Sequence, residues 1–252
     1  MIKHIAPLAA VLSVAGAAHA DTFHVTVEAP GVQTSTATFS SKGVETFSGV
    51  GTGAGQAFGT DFGSAGVITG SYSGVDVLGA DQYGGAGGAG NYASTFSTSG
   101  FSLSLSTSDP AGINYFGFWL SALDPGNGLT FSRGGTTVFT FTPGDVLALV
   151  GGNGGYFGNP NGSFLGQNGS QSYVFLNFFD TNGTFDKVSF SENPTIGGYE
   201  SDNHTVGFYT AESGTRVGAI PEPGAWALMI LGFGAVGIMA RRRGLPAPRA
   251  SA

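Results

Sequence analysis

The alternation of apolar and small polar residues is the feature that most constrains the fold of this chain. It is clearest in residues 101–106 (FSLSLS), and residues 137–141 and 185–190 repeat it less strictly. Successive side chains of a β-strand point to opposite faces, so each of these segments has one apolar face and one polar face. Residues 114–120 (NYFGFWL) and 173–179 (YVFLNFF) are aromatic on both faces, which predicts central strands that are covered twice.

Glycine accounts for 45 of the 252 residues and is too frequent for long helices. Turn sequences such as Asp-Pro-Gly-Asn-Gly at 124–128 separate short strands, which together predict an all-β, jelly-roll-like β-sandwich with glycine-rich loops. Residues 49–59 and 84–90 are the predicted loops. Pro143-Gly144-Asp145 favours one short helix that ends at Gly151, and a further strand is the alternative.

The first twenty residues have the layout of a Sec signal peptide. A short cationic start precedes an apolar run and the small-x-small site Ala18-His19-Ala20, which predicts cleavage after Ala20. The Sec translocon and signal peptidase are therefore expected partners. An uncleaved N-terminal anchor is the alternative, although the apolar run is short for a membrane span.

A second apolar segment lies close to the other end of the chain. Residues 225–240 carry no charge and are followed directly by Arg241, Arg242 and Arg243. Sixteen residues at ~1.5 Å each span ~24 Å, and the flanking Trp226 and arginines extend this to one transmembrane helix over about 224–240. A buried core helix is the alternative, against which the three arginines argue. The positive-inside tendency leaves residues 244–252 in the cytoplasm.

Pro221-Glu222-Pro223 stands just before this helix, where two prolines keep the backbone extended. With Trp226-Ala227 and the arginine cluster it resembles the PEP-CTERM sorting signal in its PEP-x-x-W-A variant. The same tail is also labelled an ice-binding protein C-terminal domain, a label that describes the tail alone. The resemblance implies that an exosortase cuts near the Pro-Glu-Pro motif. A permanently anchored protein is the alternative.

These features predict four parts: a signal peptide (1–20), an exported domain (21–218), a sorting signal (219–243) and a cytoplasmic tail (244–252). The domain is expected first in the periplasm, on an intermediate anchored in the inner membrane, and then at the cell surface or outside the cell. Phe-Gly-Phe-Trp, Tyr-Phe-Gly-Asn-Pro and Glu-Ser-Asp-Asn-His, all between residues 116 and 209, also resemble the body of certain exosortase-dependent surface proteins. That resemblance implies a jelly-roll-like domain.

Charge and residue types exclude several functions. Residues 21–220 hold four basic and fifteen acidic residues, a net charge of −11, so nucleic acid is not an expected partner. The chain has no Cys and this domain only two histidines, His24 and His204, which rules out Cys-based catalysis and three-His zinc sites. On a regular strand Asp202 would share a face with His204 and could orient it for a hydrolytic triad. No serine is marked as the third member, and we predict no catalytic residues.

Two kinds of binding site remain. Asp180, Asn182 and Asp186, or Asp202 with its neighbours Glu200 and Asn203, offer oxygen ligands for a structural Ca²⁺, as do Asp124 and Asn127. A hairpin turn explains Asn182-Gly183 without a metal. No other cofactor is expected.

A glycine- and asparagine-rich loop, residues 151–169, offers residues suited to a glycan. Aromatic rings stack on sugars and amides bond their hydroxyls, and the loop carries Tyr156, Phe157, Asn159 and Asn161. Packing of the loop is the alternative explanation for these residues.

The sequence thus predicts a non-enzymatic exported surface or extracellular-matrix protein, with a structural or adhesive role in exopolysaccharide or biofilm. A lectin-like carbohydrate-binding module is the first alternative. A glycan-active hydrolase, with two of the many carboxylates paired across a glycosidic bond, is the second.

Overall fold

The computed structural model describes residues 21–195 and 197–218, and these form an all-β domain. About 48% of the residues are in strands and 8% in helices, which confirms the predicted fold class. The strands are β1 (Phe23–Val27), β2 (Thr38–Glu45), β3 (Gly53–Thr60), β4 (Ile68–Gly79), β5 (Asn91–Ser94), β6 (Gly100–Thr107), β7 (Tyr115–Ser121), β8 (Asn127–Arg133), β9 (Thr136–Phe141), β10 (Val174–Asp180), β11 (Lys187–Glu192), β12 (Glu200–Ala211) and β13 (Thr215–Arg216). One α-helix, α1 (Gly144–Val150), and 3-10 turns at Ala86–Gly88, Gly154–Tyr156 and Gly162–Phe164 complete the described elements.

The strands form one continuous antiparallel ladder instead of the two separate sheets of the predicted sandwich. Its order is β13-β1-β10-β7-β12-β5-β4-β6-β11-β8-β9, with β2 added beside β12 and β3 beside β4. The connection between the two halves is narrow, because β5 pairs with β12 only at Ser201 and Ala93. The sheet curls. We call the strands on either side of the β5–β12 pair its two arms, and the curling brings these arms face to face.

Aromatic contacts close the arms over a common core. Phe23 of β1 stacks on Phe139 of β9 with ring centroids 4.4 Å apart, although these strands lie near opposite ends of the ladder. Phe131 of β8 likewise lies 5.2 Å from Phe178 of β10. The core is therefore built between the two ends of one sheet, which explains why apolar alternation suggested a sandwich.

The two segments with aromatic residues on both faces are central strands, as predicted. All seven residues of β7 and all seven of β10 are buried, and the two strands pair with each other. Their inner rings join the main core, while Trp119, Tyr173 and Phe175 form a second buried cluster, against which Ala86 packs. The predicted short helix is also confirmed as α1.

One predicted loop is wrong. Residues 53–59 of the predicted loop 49–59 belong to β3, which pairs along β4 with register shifts between Gly53 and Ala57. All eight residues of β3 are exposed or half-buried, so there was no apolar alternation to mark the strand. Residues 84–90 do form a connection, which contains the 3-10 turn Ala86–Gly88.

The predicted signal peptide and the sorting signal lie outside the described residues, and so does the predicted membrane helix over 224–240. Within residues 21–195 and 197–218, no helix has the length and apolar character needed to cross a membrane.

We expect Phe131→Ala to destabilise the domain by about 3–5 kcal/mol, because it leaves a cavity in the core. Phe131 is fully buried and lies within 5.2 Å of the rings of Phe23, Phe178 and Phe185. Urea unfolding checks this, with Leu149→Ala on α1, where the side chain is 38% exposed, as the control. A loss below about 1 kcal/mol for Phe131→Ala, close to that expected for a surface substitution, would contradict closure of the core by these rings.

Candidate functional site

Five connections meet at one end of the sheet. The strand β7 runs antiparallel to both β10 and β12, so the end of β7 lies beside the starts of the other two. The segments that join β4 to β5, β5 to β6 and β9 to β10 also reach this end. Loops held by a rigid sheet are where binding sites are usually built.

These connections enclose a cleft of about 350 Å³, which we call the Glu200 cleft. It is lined by Tyr83, Phe96, Ala122, Asp124, Asn168, Gln171, Gly197, Gly198 and Glu200. Tyr83 and Phe96, 40% and 49% exposed, are two of the five large apolar side chains exposed within the described residues. The cleft therefore combines uncovered aromatic rings with amide and carboxyl groups.

Glu200 forms the buried floor of the cleft. Its side chain is 3% exposed and its Oε2 has no hydrogen-bond partner. Burial raises the pKa of Glu200 to about 8, and the nearby carboxylates of Asp124 and Glu192 add to the effect. Glu200 is thus largely protonated at neutral pH. Burial and Glu192 also raise the pKa of Asp124 above its ordinary value.

Gly198 keeps the Glu200 cleft open. A Cβ at this position would lie 2.7 Å from Cε1 of Phe96 and 2.7 Å from Oε1 of Glu200. Any larger residue would therefore displace the aromatic ring or the buried carboxyl group.

A second cavity, of about 250 Å³, adjoins the cleft and shares Asp124 with it. Its lining includes Asn127 and Glu192, which face each other as register partners of β8 and β11. Both amide atoms of Asn127 and Oε1 of Glu192 are buried without a partner. Buried polar groups are usually hydrogen-bonded, so this concentration of unpartnered atoms sets this end of the domain apart.

The structure does not assemble the hydrolytic triad considered from the sequence. Asn203 has a φ of +50°, and the pairing of β12 with β7 shifts between Asp202 and Thr205. This bulge separates Asp202 from His204. Asp202 is buried against the β4–β5 connection, and its carboxylate accepts hydrogen bonds from the backbone N–H groups of Ala86 and Asn203 at 2.7 and 2.6 Å.

His204 instead points into the core. Its ring nitrogens lie 2.9 Å from the hydroxyl of Tyr72 and 3.0 Å from that of Ser201, and the ring is fully buried among phenylalanines. Burial lowers the pKa of His204 to about 3, so it stays neutral. His24 lies apart from it, bonded to Glu212 and Arg216.

The predicted calcium ligands around Asp180 and Asp202 do not converge either, whereas Asp124 and Asn127 line one cavity. Oδ1 of Asp180 accepts bonds from the backbone N–H groups of Asn182 and Gly183, and Asp186 accepts one from Gly134, so these side chains serve turns. Burial and the nearby Asp21 raise the pKa of Asp180 to about 6. Asp202 lies elsewhere, against Ala86. No group of three or more His, Cys, Asp or Glu residues within 21–195 and 197–218 is placed to hold a metal.

The residues proposed for glycan contact are mostly buried. Tyr156 donates its hydroxyl to the backbone oxygen of Glu28, and the side-chain amides of Asn159 and Asn161 donate to the backbone oxygens of Gln82 and Gly85 in the β4–β5 connection. Phe157 is half-buried against the core. These side chains bond to the rest of the domain instead of to water, and their hydrogen bonds hold the loop 151–169 against it. The prediction of glycan contact by these four residues receives no support from this arrangement.

The sequence pattern missed Tyr83, Phe96, Gly198 and Glu192. These residues are far apart along the chain and only the topology brings them together. Asp124 with Asn127, and Glu200, had been singled out, but as members of separate candidate sites.

Comparison with known proteins identifies the C-terminal segment. The family described as the PEP-CTERM protein-sorting motif matches residues 219–243. The chain carries a PEP-CTERM sorting motif. No curated protein and no solved structure matches the chain. The PEP-CTERM motif implies recognition by an exosortase, export and a cell-surface destination.

We expect the stability of the domain to fall as pH rises through the range where Glu200 loses its proton. Its folded pKa of about 8 lies above the ordinary 4.5, so between these values the folded state holds the proton more tightly than the unfolded state. Glu200→Gln removes this term and should reduce the fall in stability by a few kcal/mol. Asp202 and Asp180 contribute in the same direction, so part of the slope remains.

Thermal unfolding between about pH 5 and about pH 8.5 measures this slope. Asp145→Asn, at an exposed position of α1, is the control and should follow the unsubstituted protein. Equal slopes for Glu200→Gln and the unsubstituted protein would show that Glu200 is not protonated in the folded state.

Proposed function

We propose that this chain is a non-catalytic surface protein with a structural or adhesive role in an extracellular polysaccharide matrix, and that the Glu200 cleft holds a segment of the polysaccharide. The observation that carries the proposal is the pair of exposed rings, Tyr83 and Phe96, at a cleft lined with amides and carboxyl groups. The sorting motif supports the location, because it directs the domain to the surface where such polymers lie.

The chemistry of the cleft fits a sugar better than an apolar ligand. Aromatic faces stack on the C–H face of a pyranose, while the half-buried side chains of Asp124, Asn168 and Gln171 are placed to bond hydroxyl groups. The volume of about 350 Å³ is at the small end of ligand pockets, which suits a short stretch of a longer polymer. A protonated Glu200 leaves the floor of the cleft without a buried charge.

The sequence features of both ends support a delivery route that belongs to the proposal. In it the Sec translocon exports the chain, signal peptidase removes the leader, the C-terminal helix holds an inner-membrane intermediate, and exosortase processing near Pro221-Glu222-Pro223 passes the domain outward. The polysaccharide itself, in an exopolysaccharide or biofilm, is the expected partner of the mature protein.

One observation favours a second candidate, a glycan-active hydrolase. Glu200 and Asp124 line the same cleft, and Glu200 keeps a proton near neutral pH, as a general acid must. We favour binding because the Glu200 side chain is only 3% exposed, which gives a bound sugar little access to its carboxyl group.

Binding of the full-length protein, in mild detergent, to polysaccharide from its own cells tests the proposal. We expect Phe96→Ala and Gly198→Ala to weaken binding about tenfold or more, because the first removes a stacking surface and the second fills the cleft. Gly49→Ala, at a position with nothing within 4 Å of the new Cβ, is the matched control and should bind normally.

Three outcomes separate the candidates. Binding that is unchanged in both cleft variants, or absent altogether, would overturn the cleft as the polysaccharide site. Release of new reducing ends, lost in Glu200→Gln, would establish the hydrolase instead. Binding without release, lost in the cleft variants, supports the proposal.

A further inference from the structure

The cavity beside the Glu200 cleft has a fixed framework. Asp124 to Asn127 form the turn between β7 and β8, closed by a hydrogen bond of 3.2 Å from the backbone N–H of Asn127 to the oxygen of Asp124. The backbone N–H of Asn193 donates to the oxygen of Gly126 at 2.9 Å and fixes this turn against the end of β11. Asn127 and Glu192 are directly opposite each other across the β8–β11 pair, so their side chains lie side by side on one face.

The polar atoms in this framework lack partners within the protein. Asn127 is 1% exposed and neither its Oδ1 nor its Nδ2 has a hydrogen-bond partner. Glu192 is 5% exposed; its Oε2 accepts a bond of 3.0 Å from the hydroxyl of Thr95, and its Oε1 has no partner. Leaving such groups buried and unpaired costs about 1–3 kcal/mol each, more for a charged group, unless a ligand pairs with them.

The charge of the cavity is also uncompensated. Its lining contains the carboxyl groups of Asp124 and Glu192 and no basic side chain. The ion pairs of the described residues are His24 and Arg216 with Glu212, and Arg133 with Asp21, and none of them involves this cavity. A neutral ligand would bond these oxygens but leave their negative charge in place. A cation would both bond the oxygens and neutralise the charge.

We propose that Asp124, Asn127 and Glu192 bind a divalent cation, with Ca²⁺ as the favoured ion. All the donors are hard oxygens, and Ca²⁺ accepts an irregular set of carboxylate, amide and carbonyl ligands that Mg²⁺ does not. The backbone oxygens of Asn193 and Pro194 lie 3.1 and 3.3 Å from the position that a Cβ would take on Gly126, a residue of the cavity lining. With only two carboxylates the affinity belongs in the range of extracellular modules, roughly 10⁻⁴–10⁻³ M.

The site is independent of the polysaccharide proposal, although Asp124 belongs to both cavities. Ca²⁺ titration of the full-length protein without any sugar tests it, by calorimetry and thermal unfolding after treatment with EDTA. We expect CaCl₂ to raise the unfolding temperature and MgCl₂ to raise it less, because Ca²⁺ binds the folded state alone. Glu192→Gln removes a charged ligand and Gly126→Ala crowds the cavity, so each should weaken Ca²⁺ binding at least tenfold.

Asp145→Asn on the exposed face of α1 is the matched control and should keep the full response to Ca²⁺. Circular dichroism identifies any variant that fails to fold, and Gly126→Ala decides the question if Glu192→Gln does. No response up to about 10 mM CaCl₂, ten times the weak end of the expected range, would overturn the site. Binding that is unchanged in the folded variants would also overturn it, since the ion would then lie elsewhere.

Discussion

Contact between aromatic rings from opposite ends of one sheet is the interaction on which this domain depends. Phe23 on Phe139, and Phe131 with Phe178, hold the two arms together where the ladder has only the short strand β5 to join them. The chain has no cysteine, so no disulfide shares this task and stability must come from burial. Buried aromatic side chains provide a large apolar area per residue, which suits a chain so rich in glycine.

The order of the strands in the ladder also creates the candidate sites. When the strands β7, β10 and β12 are fixed side by side, their connections are forced together at one end, and polar residues from distant segments become neighbours. Glu200, Glu192 and Asn127 are buried there with atoms that no other part of the domain satisfies. Gly198 and Gly126 leave space at this end, because a Cβ on Gly198 would meet Glu200 and Phe96, and one on Gly126 would crowd the backbone of Asn193 and Pro194. The domain thus gives up some stability at this end, as binding sites commonly do.

Residue patterns along the chain predicted the elements whose structure depends mainly on their own sequence. Alternation marked β6, β9 and β11, aromatic residues on both faces marked the buried strands β7 and β10, and Pro143 marked the start of α1. Three features depended on tertiary contacts. The strand β3 exists because β4 offers it a partner, the bulge at Asn203 separates Asp202 from His204, and Tyr156 is buried because Glu28 accepts its hydroxyl. The Glu200 cleft could not be predicted from the sequence for the same reason, since its residues come from five separate connections.

The sorting motif implies export of the protein and a cell-surface destination. Intact-mass spectrometry of the protein recovered from the surface of cells with an active exosortase tests this most directly. The account predicts a mature chain that begins at Asp21 and ends near Pro221-Glu222-Pro223. A surface protein that still carries residues 224–252, or a chain found only inside the cell with both ends intact, would contradict it.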